Sequence, residues 1–462
     1  MIRPSLSVIA RRWLGFGVGC RYVFLESGVS MSRREGYVID VPYPLHFHKE
    51  MQPVWMNYIA TSLGCAAPDI RSPYRYCELG CGAGINLLVA AAGNPLGEFV
   101  GVDFNAGHVA LAQQAARSIG LDNVQFIEAS FADFARQEHE PFDFIACHGT
   151  WSWLPPQAQA SILQSLHRYL KPGGLFYLHY MCHPGATRLT AIQKILHEVS
   201  LTMPGDSAEA ARHGVELLRR LADNGAGAFE DNPGLRDELA ALENEHLTYL
   251  AHEFLTDYWR PQHSADVHRI VAQAELTFIG SADCFENMDS LSIPGAIQPI
   301  LSGISQAALR ETIKDTARNQ HQRFDMFQRQ PKALGAEQHL LELDAVRFMA
   351  MASMPPAGPL SFSTPIGAIP GPEAIFEPLI RALLAGPRSF AELRQMGAFA
   401  GEPGVLLQAL QMLMWAGYAH PLRPDGSVAQ QAGAFAEWLR SRAVALSPLA
   451  ECGTAVMCKR EA

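Results

Sequence analysis

The segment Glu78-Leu79-Gly80-Cys81-Gly82-Ala83-Gly84 sets an acid before three glycines at alternate positions. Such a loop turns tightly and lets a ligand lie against bare backbone with no Cβ in the way. About 20 residues further on, Asp103 stands in Gly101-Val102-Asp103-Phe104, where a carboxylate can accept both hydroxyls of a ribose. Glu128-Ala129-Ser130-Phe131 comes next. There, backbone and small side chains can meet an adenine edge, with Phe104 and Phe131 flanking the base or serving as core. Cys147-His148-Gly149-Thr150-Trp151-Ser152-Trp153 follows, with His148 at the depth of the reacting atom.

Two ligands compete for this loop. A dinucleotide fingerprint runs GxGxxG, whereas this loop runs GxGxG behind Glu78. An acid there repels a diphosphate and attracts an ammonium. S-adenosylmethionine carries adenosine, an ammonium and a sulfonium but no phosphate, so the acid–glycine loop favours it as cofactor.

These residues need strand ends to hold them. Strand-like runs at 74–79, 98–104, 124–129, 142–148 and 175–180 alternate with helical patterns at 85–92, 105–119, 131–135 and 155–170. That alternation predicts an α/β fold, a Rossmann-like parallel sheet with right-handed crossovers. Ligands gather at the carboxyl ends of such strands. From 188 to 259 the pattern is helical, with 235–258 reading as one long helix. A helix at 266–276 and a strand at 277–280 either return to the main sheet or stay in a separate middle domain.

The chain of 462 residues divides, on these patterns, into an extension (1–36), a cofactor-binding domain (37–188), a helical middle domain (189–345, with 264–285 as the part that can rejoin the sheet), a linker (346–371), a winged-helix-like domain (372–445) and a tail (446–462). The winged-helix reading rests on three helices and a hairpin, 418–422 with 427–430. The extension carries Arg3, Arg11, Arg12 and Arg21 between apolar pieces, which reads as a start-site extension rather than a signal peptide. A net charge of −10 argues against a phosphate-backbone binder. The 405–415 helix contains no Lys or Arg, so the winged-helix-like end supplies no DNA contacts. No apolar run reaches the ~20 residues of a spanning helix. The nine Cys include no CxxC pair, which fits a reduced cytoplasm and neither zinc nor disulfides. His46-Phe47-His48 with Glu50 resembles a metal cluster, but nothing else demands a metal. It reads instead as a segment across the cofactor cleft, with Tyr43 at the ligand. His179 and His183 flank the fifth strand's end and read as structural or solvated.

The stretch 76–180, with ELGCGAG and LKPGG, resembles class I S-adenosylmethionine-dependent methyltransferases. HGTWSW at 148–153, YLAHEFL at 249–255, DYWRP at 257–261, FIGSA at 278–282 and SFSTPIG at 361–367 extend the likeness. They resemble bacterial methyltransferases carrying a methyltransferase regulatory domain, a group that includes protein-lysine methyltransferases of outer-membrane proteins. The resemblance implies S-adenosylmethionine held by Glu78, Gly80, Gly82, Gly84, Asp103, Phe104, Ala129, Ser130, Phe131 and His148. It implies a protein substrate, such as an outer-membrane or surface protein, and no nucleic acid. A lysine site needs aromatic walls and a proton acceptor. Trp151, Trp153, Tyr249, His252 and Glu253 are the substrate-side candidates, and His148, Tyr180 and Glu253 the catalytic ones. Tyr249, His252 and Glu253 share one helix face, lining a channel or joining two domains. A small-molecule or saccharide-precursor acceptor, and a scaffold without transfer activity, remain the alternatives.

Overall fold

The computed structural model describes residues 33–458. Seven strands form the main sheet: β1 (Tyr74–Leu79), β2 (Gly97–Asp103), β3 (Val124–Glu128), β4 (Phe142–Cys147), β5 (Leu170–Met181), β6 (Leu276–Ser281) and β7 (Gln322–Arg329). Their order is β3-β2-β1-β4-β5-β7-β6. The first five are parallel, and β7 runs antiparallel to both β5 and β6. The strand 277–280 therefore returns to the main sheet. The order reverses between β1 and β4, which opens the crevice where such sheets bind ligands.

Parallel strands are buried on both faces, which is why they read as nearly continuous apolar runs. One face carries α1 (Pro53–Ser62), α2 (Ile85–Gly93) and α3 (Ala106–Ile119), packed through Trp55, Leu87 and Val109 onto Tyr76, Phe99 and Tyr177. The other carries α4 (Phe131–Arg136), α5 (Pro156–Tyr169) and α10 (Ser264–Ala272), through Phe134, Leu166 and Val271 onto Val100, Ile145 and Tyr180. Local chemistry fixes the helix starts. The Asn105 side chain accepts from the Gly107 and His108 amides, Ser130 accepts from Asp133, and Pro156 opens α5.

Four helices, with a one-turn helix at 227–230 that adds Phe229, make a separate core: α6 (Leu189–Thr202), α7 (Ser207–Asp223), α8 (Pro233–Leu242) and α9 (Leu247–Phe254). The long helix expected over 235–258 is broken. The run Glu243-Asn244-Glu245-His246 offers no apolar side chain to pack, and the His246 ring caps α9 by accepting from Thr248. Val38 and Val41 join this core from a strap that begins as a ribbon, Arg33–Arg34 paired with Tyr37–Val38.

The chain places α11 (Ala307–Arg318) before β7 and α12 (Ala336–Ala345) after it. The stretch 346–371, expected as a linker, is folded. It supplies β8 (Arg347–Ala350) and a hairpin of β9 (Leu360–Thr364) with β10 (Gly367–Gly371). Three helices follow, α13 (Glu373–Leu384), α14 (Phe390–Leu393) and α15 (Pro403–Trp415). The expected hairpin does not form, since no strand occupies 427–430. β12 (Ala419–Pro421) pairs instead with β8, which also takes β11 (Arg388–Ser389) on its other edge. The expected tail also differs. After α16 (Ala432–Ser441), β13 (Leu446–Leu449) and β14 (Thr454–Met457) form a ribbon against α2. The close approach needs Gly93, where a Cβ would lie 2.9 Å from the Gly453 backbone. Asn94 Nδ2 seals the contact by donating to the Gly453 carbonyl at 2.8 Å. Among the described residues no helix is long and apolar enough to cross a membrane.

Candidate active site

A cavity of about 340 Å³ opens at the carboxyl ends of β1, β2, β3 and β4, roofed by the strap. Its floor is the loop from β1 to α2. Gly80 and Gly82 both have positive φ, 81° and 52°. A Cβ on Gly80 would collide with the Thr150 hydroxyl, whereas one on Gly82 would meet nothing within 4 Å. Gly82 therefore leaves bare backbone facing open space, the cradle a cofactor requires.

Two acids aim into that cradle. Asp103 Oδ2 accepts from the Gly82 amide and Oδ1 from the Asn105 amide, each at 2.8 Å. Those bonds fix the carboxylate, and its remaining lone pairs can take a ribose diol. Glu78 is buried, and its Oε2 has no hydrogen-bond partner. Burial pushes the Glu78 carboxyl well above its usual range, against a hydrogen bond from Asn86. An orphaned acid on a cavity wall suits an incoming ammonium, so the residues present fit S-adenosylmethionine.

The ten residues expected on the cofactor all lie on this wall. The Ser130 hydroxyl is engaged in capping α4, donating to Asp133 Oδ2 at 2.7 Å. Phe104 is covered by Arg34, whose guanidinium sits 5.5 Å above the ring and donates to the Phe104 carbonyl at 2.8 Å. Residues 33–36 thus belong to the site, with Glu35 on the cavity wall. Residues 1–32 and 459–462, including the arginine-punctuated extension, lie outside the described residues.

At the end of β4, His148 Nδ1 lies 2.8 Å from the Tyr177 hydroxyl. Its ring is sandwiched between His48 at 3.6 Å and His179 at 4.1 Å. The Gly149 amide donates to His179 Nδ1 at 3.1 Å. Burial lowers all of these imidazoles, His148 and His48 well below 6.5 and His179 to about 4. They are neutral at physiological pH.

Several substrate-side and catalytic expectations are corrected. Tyr180 is fully buried on the opposite face of the sheet, its hydroxyl donating to Asp325 at 2.6 Å. The period of two along β5 sends Tyr177, not Tyr180, toward the cavity side. Trp151 is core, its indole N–H donating to Gln262 at 2.7 Å. Trp153 does line the cavity and donates to the Glu253 carbonyl at 2.9 Å. Tyr249, His252 and Glu253 stand one layer back, behind the strap. His252 Nε2 pairs with the Val41 carbonyl at 2.9 Å and its ring meets Tyr37 and Tyr43. Glu253 accepts from the Tyr43 hydroxyl at 3.4 Å. Tyr37 and Tyr43 are the wall residues in front of them. Of the residues missed, Tyr177 had a signal, since alternation along β5 pairs it with His179. The roles of Glu35 and Tyr37 had none.

Burial raises Glu253 to about 8. Between about pH 4.5 and 8 the folded chain therefore keeps a proton that the unfolded chain has lost. Its stabilising effect is complete below the unfolded pKa and disappears as pH rises through 8. Glu253→Gln, which never ionises, is expected to raise Tm relative to wild type at pH 9 and not at pH 4.5. Equal shifts at both pH values would contradict this reading.

Residues 70–225 match a methyltransferase domain, and residues 246–329 match a predicted methyltransferase regulatory domain. The chain is a class I S-adenosylmethionine-dependent methyltransferase with a regulatory domain. It is 29% identical over 392 residues to an uncharacterised protein of Synechocystis, covering 85% of this chain and 77% of that one. A trans-aconitate 2-methyltransferase of Azoarcus is 29% identical over 195 residues, 38% of this chain and 74% of its own. In fold the methyltransferase resembles PKMT2 from Rickettsia typhi in complex with AdoHcy, with TM-score 0.64 and 20% identity over 82% of this chain and 77% of that one. The regulatory domain contributes β6 and β7 to the catalytic sheet and α9 to the layer behind the strap.

Proposed function

We propose that the methyl acceptor is a lysine amine of a protein. The observation that carries this is the wall facing the cofactor cradle: the tyrosines Tyr37 and Tyr43, a half-buried carboxyl at Glu253 behind Tyr43, and neutral imidazoles beside them. Aromatic faces attract an ammonium, a nearby ammonium favours ionisation of the Glu253 carboxyl, and neutral imidazoles can accept a proton. The likeness in fold to PKMT2 supports the same acceptor. In this reading Asp103 holds the ribose, Glu78 the cofactor ammonium, and Ala129, Ser130 and Phe131 the adenine. Trp153 and Tyr43 flank the incoming side chain. S-adenosylmethionine supplies an electrophilic methyl on its sulfonium. The protein aligns an amine with it and excludes water, because in-line displacement needs a neutral nucleophile and a lysine has an unperturbed pKa near 10.4.

A small-molecule acceptor is the second reading, favoured by the likeness to trans-aconitate 2-methyltransferase and by a strap that roofs the cavity. Labelled methyl transfer into a fractionated lysate separates the two. Label in protein, recovered as methyl-lysine after hydrolysis, is expected; label confined to small molecules sinks the lysine acceptor. We place the enzyme in the cytoplasm, acting on a surface or outer-membrane protein before export.

A further inference from the structure

We propose that the outer edge of β9 docks an extended, lysine-bearing segment of the acceptor protein, which pairs with it as a third strand beside a second cavity. The acceptor's identity rests on the amine-acceptor reading, but the strand pairing is tested without it.

The hairpin sets which backbone groups face outward. β9 and β10 close on Thr364 and Gly367 across a two-residue turn, so the hydrogen-bonded pairs fall at Thr364, Phe362 and Leu360. Ser361 stands opposite Pro370, which has no N–H to give, and Ser363 opposite Ala368. The amides and carbonyls of Ser361 and Ser363 therefore point away from β10. Among the described residues no strand pairs with that edge, and both serines are exposed. Proteins blunt free edges with Lys, Pro or a bulge. Leu360–Thr364 carries none of these.

The edge faces a cavity of about 410 Å³, which Ser361, Phe362 and Ser363 all line. Three consecutive residues reach one cavity when a strand lies edge-on, because side chains alternate between faces. The other walls come from Lys49 and Glu50 after the strap, Asp283 of the regulatory domain, and Trp415 and Tyr418 at the end of α15. Trp415 stacks on Phe285 at 4.6 Å, which fixes that wall against the regulatory domain. Lys49 Nζ lies 4.5 Å from the Trp55 ring and donates to the Met414 carbonyl at 3.1 Å. Two carboxylates against one ammonium so engaged suit a basic side chain, and the aromatic rings suit its stem and cation. In such docking, main-chain pairing supplies affinity and the pockets supply selectivity. The catalytic cavity adjoins. His48 stacks on His148, and the next residues, Lys49 and Glu50, line the second cavity, so one turn of chain divides the two.

The test is fluorescence anisotropy of the full chain with a labelled eight-residue peptide alternating Lys and Val. A copy methylated on every backbone nitrogen keeps the side chains and loses the donors. Wild type is expected to bind the parent peptide, and the methylated copy at least about 10-fold more weakly. An alternating Glu and Val peptide should also bind roughly 10-fold more weakly. Ser363→Pro removes an outward N–H without touching a β9–β10 bond, and should weaken the parent peptide roughly 10-fold. Its Kd for S-adenosylmethionine should stay within about 2-fold. No binding by wild type, equal binding of the methylated copy, or a Ser363→Pro chain of unchanged Tm that binds like wild type overturns the docking edge. If Ser363→Pro loses its fold, the methylated copy decides alone. Equal binding of the Glu peptide overturns the lysine-bearing occupant. A concentration-dependent dimer that Ser363→Pro dissolves also overturns it, giving the edge to a second copy of this chain. Failure of the amine-acceptor reading looks different: the peptide pairs with β9 as expected, but lysate label enters small molecules alone.

Discussion

Asp103→Ala is expected to weaken S-adenosylmethionine binding by roughly 100-fold or more in titration calorimetry. Asp103 is the residue in the cradle that can offer a charged acceptor pair to a ribose while bonded to the loop beneath it. Hydrogen bonds to charged groups contribute about 1.5–3 kcal/mol each, so losing two costs about 3 kcal/mol or more, and each 1.4 kcal/mol is tenfold. The substitution also strips the Gly82 and Asn105 amides of their acceptor, loosening a stretch of cavity floor that faces open space. Asp103→Asn keeps the shape and one carbonyl oxygen, so an intermediate loss is expected. A change under about 3-fold in the alanine variant, with Tm retained, would show that the ribose is held elsewhere.

The largest stability effect is expected on the other face of the sheet from the cavity, at Arg323. Its guanidinium is buried between the catalytic sheet and the regulatory helices, where Nε meets Asp325 at 2.8 Å, Nη1 Asp315 at 2.5 Å and Nη2 Glu311 at 2.8 Å. Tyr180 of β5 and His268 of α10 both bond the same Asp325, at 2.6 and 2.8 Å, and Ser264 bonds Asp315 at 2.5 Å. Removing the cation from such a cluster leaves uncompensated carboxylates out of water, a loss of about 3–5 kcal/mol. Arg323→Met should therefore lower the urea midpoint sharply. Pairing it with Asp325→Asn and Asp315→Asn should recover part of the loss, because the orphaned charges go with it. A loss under about 1 kcal/mol for the single variant would mean that water reaches the cluster. Tyr180, read from sequence as catalytic, is thus a clamp between β5 and the regulatory domain.

That reassignment marks where sequence reasoning ran out. The cofactor cradle was legible because its chemistry is local: glycines at alternate positions, an acid before them and a carboxylate ending the next strand lie within a few turns of chain. The strands and helices of 74–180 were legible for the same reason, since hydrophobic period and capping residues act over short separations. Two assignments failed on parity. Tyr177 and Tyr180 are both aromatic residues near a strand end, and an odd offset places them on opposite faces. Trp151 and Trp153 lie two apart in a short helical turn, and only packing decided that one is core and the other wall.

The strap was the larger gap. Tyr43 and His46–His48 read from the sequence as a segment across the cleft, but nothing local showed that the strap supplies the ring stacked on His148 and the tyrosines in front of Glu253. Residues 33–42 read as fragments with no period. Their partners lie some 70 to 220 residues away, a separation that no local pattern encodes. The supposed linker and tail failed likewise: β8 is a strand because β11 and β12 come to it, and β13 and β14 because α2 offers Gly93. By itself the sequence determined the α/β sheet, the cofactor and the chemistry of the loop that holds it, through interactions between near neighbours in the chain. The tertiary structure alone decided which aromatic and titratable side chains share a cavity, because facing direction and long-range pairing are set by burial, and burial exists only once the chain has folded.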